Sequence, residues 1–310
     1  MAVHELPAEP VHRVFSRDIP PRLRVQAGDE VVMHCQDAAG GAVDPKTGTR
    51  ARRSGPGGHP LTGPVFVEGA EPGDTLAVEI LGLQHQGWGW SSFGPGRGLL
   101  PDDFSEGYLH IWRIEGEHAW LKPGVRVPLQ PFPGNIGCAP AVSGEHSTMP
   151  PRRVGGNLDV RHLTPGTTLL LPVEVPGGLL SAGDCHAAQG DGEVCITGIE
   201  APMTLRVRLG LRKGERLPFP EFRTPPGSLN PGADGAGFHA TTGIGPDLRR
   251  CAQDALRGMI GYLGREHGLS RQEAYVLCSA AADLRISEIV DLPSYVVSCY
   301  LPLSLFVAVA

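Results

Sequence analysis

Aromatic residues are scarce in this chain, 6% of 310 positions, and charged residues account for only 19%. No uninterrupted apolar run approaches the length that spans a bilayer, and the first residues lack a basic segment followed by an apolar one. Neither a membrane partner nor secretion is therefore expected, and the expected location is the cytoplasm. Excess positive charge is missing too. The formal net charge is −6, with Lys and Arg scattered rather than striped, which removes the electrostatic basis for nucleic-acid binding. The seven cysteines (Cys35, Cys138, Cys185, Cys195, Cys251, Cys278 and Cys299) contain no Cys-x-x-Cys pair and are odd in number. Neither a zinc ribbon nor a full disulfide framework is expected, and they read as mostly reduced, buried small hydrophobes.

What the chain has in quantity is glycine and proline, 43 and 30 residues, with a hydrophobic fraction of 41%. Such a composition can bury a core without disulfides and suits many short strands joined at special backbone corners. Strands are expected at Leu23–Val32, Val65–Val67, Thr75–Leu81, His110–Ile114, Thr167–Val175, Val194–Ile199 and Met203–Leu211. In the last of these, Met203, Leu205, Val207, Leu209 and Leu211 alternate with Thr204, Arg206 and Arg208, so one face is buried and one wet. Residues 40–64 and 84–107, the latter with Gly87-Trp88-Gly89-Trp90, read as long surface loops or lids.

Near the C-terminus the period changes. Leu248, Cys251, Ala252, Ala255, Leu256, Met259, Ile260 and Leu263 recur at helical spacing, and Gly268 can close that helix. Ser270-Arg271-Gln272-Glu273 is a capping-box signature for a second one. Leu284–Val290 and Val296–Val309 are expected to return to the sheet. The expected fold is mainly β: a multi-stranded sandwich or barrel-like body with a C-terminal helical hairpin packed on it, α+β overall. Residues 1–215 form the β-rich body with most of the site; 216–310 hold the hairpin and returning strands, packed with the body as one unit.

The chemistry concentrates in Gly183–Val194. Asp184 and His186, two apart, point the same way from an extended strand, and a tight turn at Asp191-Gly192 can bring Glu193 back beside them. Hard oxygen ligands with imidazole suit a divalent ion, zinc first and calcium as the alternative; the competing reading is a Gly-rich hairpin with incidental charges. Asp37 ends a strand and is either a site residue or a turn carboxylate. His59, in a loop before a strand, is either a displayed ligand or an ordinary surface residue. Within Gly155–His162, Asn157, Asp159 and His162 are candidate substrate-binding groups, or parts of a locally bonded turn.

Five blocks together, Arg22–Asp37, His59–Asp74, Gly155–Thr167, Gly183–Val194 with Ala201-Pro202-Met203, and Glu273–Ser279, resemble the acetamidase/formamidase family along nearly the whole chain. The resemblance implies metal-assisted hydrolysis of short aliphatic amides to a carboxylate and ammonia, on a mainly β fold in a homo-oligomer. It assigns Asp37, His59, Asp184 and His186 to metal binding and Glu193 to the general base, with Asp184 and His186 in the catalytic set. Cys185 stands where the family has glycine and Cys138 where it has a small aliphatic residue, which bears on substrate preference. Two other readings stay open: a thiol-dependent amidase using Cys138 or Cys185, and a small-ligand-binding protein of the same fold without turnover.

Overall fold

A computed structural model describes residues 1–51, 57–97, 105–122, 125–189, 193, 195–227, 237–269, 283–303 and 306. The architecture is mainly β, with sheets of nine and five strands sharing one hydrophobic core. Strand Met203–Arg212 lies between Glu30–Cys35 and Thr75–His85, antiparallel to both. Its alternation works as the sequence suggests: Met203, Leu205, Val207 and Leu209 are buried, while Arg206 and Arg208 reach outward to Glu30 on the neighbouring strand.

The five-stranded sheet places the chemistry. Its central strand, Leu180–His186, is buried at every residue and runs between Phe132–Gly137 and Leu61–Val67. A strand covered on both faces cannot leave charge in water, so Asp184 and His186 must find partners inside.

Helix Leu248–His267 follows the periodic stripe. Asp247 caps it by accepting from the Arg250 N–H at 2.7 Å, Gly268 ends it at φ 64°, and Cys251, Ala255, Met259, Tyr262 and Leu263 are buried. It packs on strands Phe238–Gly245 and Tyr295–Pro302. Those strands belong to the same nine-stranded sheet as Glu30–Cys35, so the sheet runs through both expected segments. The second expected helix, with its Ser270–Glu273 capping box, lies outside the described residues.

Three local expectations are corrected. The stretch Leu23–Val32 is two strands, Leu23–Val25 and Glu30–Cys35, parted by a turn in which Gly28 takes φ 101°. Residues 195–199 form no strand: Ile196 turns the chain at φ 76°, and only the Ile199–Glu200 end pairs with its neighbours. Conversely, Trp88–Phe93, expected in a loop, is a strand paired with Tyr108–Glu115. The glycine that disguised it has a packing role, because a Cβ on Gly89 would sit 2.8 Å from the Glu200 carbonyl, whose oxygen accepts from Trp90 N–H.

Candidate metal centre and active-site cavity

Strand Leu180–His186 delivers Asp184 and His186 to one point, though not by simple alternation. Asp184 sits at φ 51°, and Asp159 and Glu193 are likewise left-handed, at 48° and 45°. Non-glycine residues rarely adopt that conformation, and an aspartate tolerates it better than a glutamate. Backbone of this kind persists where surrounding packing imposes it, and it clusters at functional sites. The Asp191-Gly192 turn lies outside the described residues, yet Glu193 does arrive beside the pair.

Two overlapping groups of ligand atoms result. Asp184, His186 and Glu200 each offer one atom within 4.8 Å of the others, and so do Asp159, His186 and Glu193; all five are buried. His186 Nε2 lies 3.6 Å from Asp184 Oδ1 and 3.1 Å from Glu200 Oε2. Among the described residues, Asp184 Oδ1, Glu200 Oε2 and both Asp159 oxygens have no hydrogen-bond partner. Unpaired carboxylate oxygens that deep are costly unless a cation or proton meets them.

The imidazole is oriented from behind. Gln189 Nε2 donates to the Asp159 carbonyl at 2.9 Å, an oxygen that can only accept, which turns Gln189 Oε1 toward His186 Nδ1 at 2.7 Å. Nδ1 therefore carries a proton, and in the neutral ring Nε2 presents its lone pair to Asp184 and Glu200. This carbonyl-to-imidazole relay is the arrangement that fixes metal-ligating histidines. Phe132 closes the ring's flank edge-on, centroids 5.0 Å apart.

Charge is out of balance here. Among the described residues, the basic groups within ion-pair distance of Asp159, Asp184, Glu193, Glu200 and Asp291 are His186 and His59, whose Nδ1 lies 3.0 Å from Asp184 Oδ2. Burial pushes Asp159, Glu193 and Asp291 above the usual carboxylate range, and Glu200 up to about 8. Burial also raises Asp184, but the two imidazoles outweigh it and hold that carboxyl below its ordinary value. For His186 burial acts to lower the pKa, while Glu200 and Asp184 overcome it and raise it well above normal. An acid-rich, oxygen-and-nitrogen donor set with orphaned oxygens fits a divalent cation.

The cluster borders a cavity of about 620 Å³ whose walls include Asp184, Glu193, Glu200, Asp291, Asn157 and His59. Asn157 is held there by donating to Asp291 and accepting from Asn135 Nδ2 at 3.1 Å. Trp90 and Phe93 form part of the wall. Trp90 is only 2% exposed.

Of the residues singled out in the sequence, the fold brings together Asp184, His186, Glu193, Asp159, Asn157 and His59. Asp37 does not join the ligand groups: its oxygens accept from Ala39 N–H, Gly41 N–H and Trp90 Nε1 at 2.8, 2.9 and 3.0 Å. That is the turn-carboxylate alternative, extended by a bond that locks Trp90. His162 is absent from the cavity lining; it packs edge-on against Tyr300, and neither ring nitrogen has a hydrogen-bond partner among the described residues. Glu200, Asp291 and Gln189 were not foreseen. Glu200 stands one residue before the family-like Ala201-Pro202-Met203, the one local hint for it.

His162 yields a stability prediction. Burial lowers its pKa to about 3, against 6.5 for the free group. The unfolded chain therefore binds the proton more readily, so this residue's contribution is complete above pH 6.5 and falls away as pH drops toward 3. At pH 5 the loss is about 2 kcal/mol. His162→Phe should narrow the gap between melting temperatures at pH 7.5 and pH 5; an unchanged gap would refute the assignment.

The sequence profile of the Acetamidase/Formamidase family matches residues 3–146 and 141–308. The chain belongs to that family. It is an amidase, a hydrolase of amide bonds. The formamidase of Methylophilus methylotrophus is 29% identical, the match spanning 96% of this chain and 89% of that one. The acetamidase of Mycolicibacterium smegmatis is 30% identical over 72% of each. The crystal structure of an acetamidase from Bacillus halodurans superposes with a TM-score of 0.86 at 32% identity, covering 97% of this chain and 98% of that one. Among the described residues no helix is long and apolar enough to cross a membrane.

Proposed function

We propose that this amidase hydrolyses short aliphatic amides to a carboxylate and ammonia with a divalent metal, zinc by preference, held by Asp184, His186 and Glu200. One observation carries the reading: unpaired oxygens of Asp184 and Glu200 converge with the presented Nε2 of His186 beside a cavity. The imidazole in the set favours zinc over calcium, which prefers an all-oxygen shell. The relatives named formamidase and acetamidase support the substrate class. A divalent ion in such a site polarises an acyl oxygen and acidifies water.

The chain's own groups supply the rest. Glu193 takes a proton from the attacking water, its carboxyl being buried in the cavity wall beside the cluster. The C–O bond forms, the carbonyl carbon becomes tetrahedral, and Glu193 returns the proton to the departing nitrogen as the C–N bond breaks. Asn157 and His59, on the cavity wall, are positioned to bind and orient the amide.

The thiol alternative is disfavoured by burial. Cys138 and Cys185 are both 0% exposed, and neither lines the cavity. Burial pushes the Cys138 thiol up to about 12, and contact with Cys35 together with burial raises Cys185 well above normal. A thiol of that kind supplies almost no nucleophilic thiolate at neutral pH.

Dialysis against a chelator should abolish ammonia release from acetamide and formamide, and added zinc should restore it. Asp184→Asn protein should carry far less metal by elemental analysis. Full activity in metal-stripped protein would overturn the proposal.

A further inference from the structure

The cavity is far larger than formamide or acetamide requires. Its volume of about 620 Å³ falls in the range of pockets that hold molecules of many more atoms. Its charge is also mixed. Asp184, Glu193, Glu200 and Asp291, all buried, supply its acidic lining, while Arg50 and Arg97, both exposed, also stand in the wall.

Arg50 is held in place. Its guanidinium lies over the Trp90 ring, 5.1 Å from the centroid, and that indole is fixed by its bond to Asp37. Arg97 follows a turn in which its own N–H donates to the Gly94 carbonyl at 3.2 Å. Among the described residues no carboxylate forms an ion pair with either guanidinium. Two cations bordering an acid-lined pocket, one pre-oriented by an aromatic face, are suited to a ligand's negative end.

We infer that this enzyme's substrate is an amide carrying a carboxylate at its far end, a monoamide of an aliphatic dicarboxylic acid, with Arg50 and Arg97 binding that carboxylate while the amide lies at the acidic end. This rests on the amidase reading and specifies its substrate. Holding the carboxylate at the two arginines leaves the amide to face the acidic lining of the same cavity. Arg50 ends the short strand Thr49–Arg50 and Arg97 follows the strand Trp88–Phe93, so neither belongs to the residues that bear the acidic cluster.

The test compares succinamate with neutral butyramide. Wild-type protein should show a higher kcat/KM for succinamate, and Arg50→Met or Arg97→Met should each lower the succinamate-to-butyramide ratio by about tenfold, the cost of one charge-assisted hydrogen bond. Arg97→Lys, which keeps the charge, should retain most of that ratio. A merely structural disturbance would lower both rates together and leave the ratio unchanged, and that result overturns the inference. Calorimetric binding of succinamate to Glu193→Gln protein reads the anion site without turnover. Arginine-dependent binding with no hydrolysis of any amide would refute the amidase chemistry and sustain the anion site. Hydrolysis of both amides with no arginine dependence would do the reverse.

Discussion

Gly134→Ala should lower kcat/KM by at least about 10²-fold and destabilise the fold by about 1–3 kcal/mol. Gly134 lies on the strand beside Leu180–His186, where a Cβ would sit 2.6 Å from Asp159 Oδ1, 2.7 Å from the Asp184 carbonyl oxygen and 3.0 Å from His186 Cε1. Each of those atoms belongs to a residue of the two groups that could hold a cation. The Asp184 oxygen is backbone in the middle of a buried strand, so it cannot rotate away, and the strand or the added methyl must shift. Either movement parts Asp184 from His186. Steady-state ammonia release and a thermal melt check the two halves separately; a variant that melts early but turns over normally would show that the strands can separate without disturbing the site.

Glu193→Gln should reduce kcat by about 10²–10⁴-fold with metal content intact. The change is close to isosteric, and the Gln carbonyl can still accept from the Gly198 N–H, which Glu193 Oε1 does at 3.1 Å. What disappears is the ability to take and return a proton. Glu193 also belongs to the second ligand group, with Asp159 and His186, so the metal measurement is decisive. A loss of bound metal would make Glu193 a ligand. Glu200, whose Oε1 accepts from the same Gly198 N–H at 3.0 Å, would then be the group to examine as base.

The sequence was most legible where a signal is local. The helix stripe from Leu248 and its glycine stop, and the alternation from Met203, depend only on neighbours along the chain. Asp184 and His186 were readable as neighbours two apart on one strand, although the left-handed Asp184 breaks the simple alternation that spacing assumes. Glu200 and Asp291 were not, because topology delivers them: Glu200 through its bridges to Trp90 and His186, Asp291 from a turn between the last two strands described. Residues 195–199 misled because their apolar, β-branched composition is that of a strand, whereas Ile196 and Thr197 line the cavity. Asp37 and His162 were misplaced by chemistry alone, since neither type of side chain declares whether it faces a turn, an aromatic ring or a metal.

The bond between Asn157 and Asp291 joins residues 134 positions apart. During synthesis Asp184, His186 and Glu200 leave the ribosome well before Asp291, by roughly 5–20 s at ordinary elongation rates. Asp291 thus closes a wall of the cavity from the last strands described, and a fragment ending at the helix should release no ammonia from acetamide, which an assay of that fragment checks.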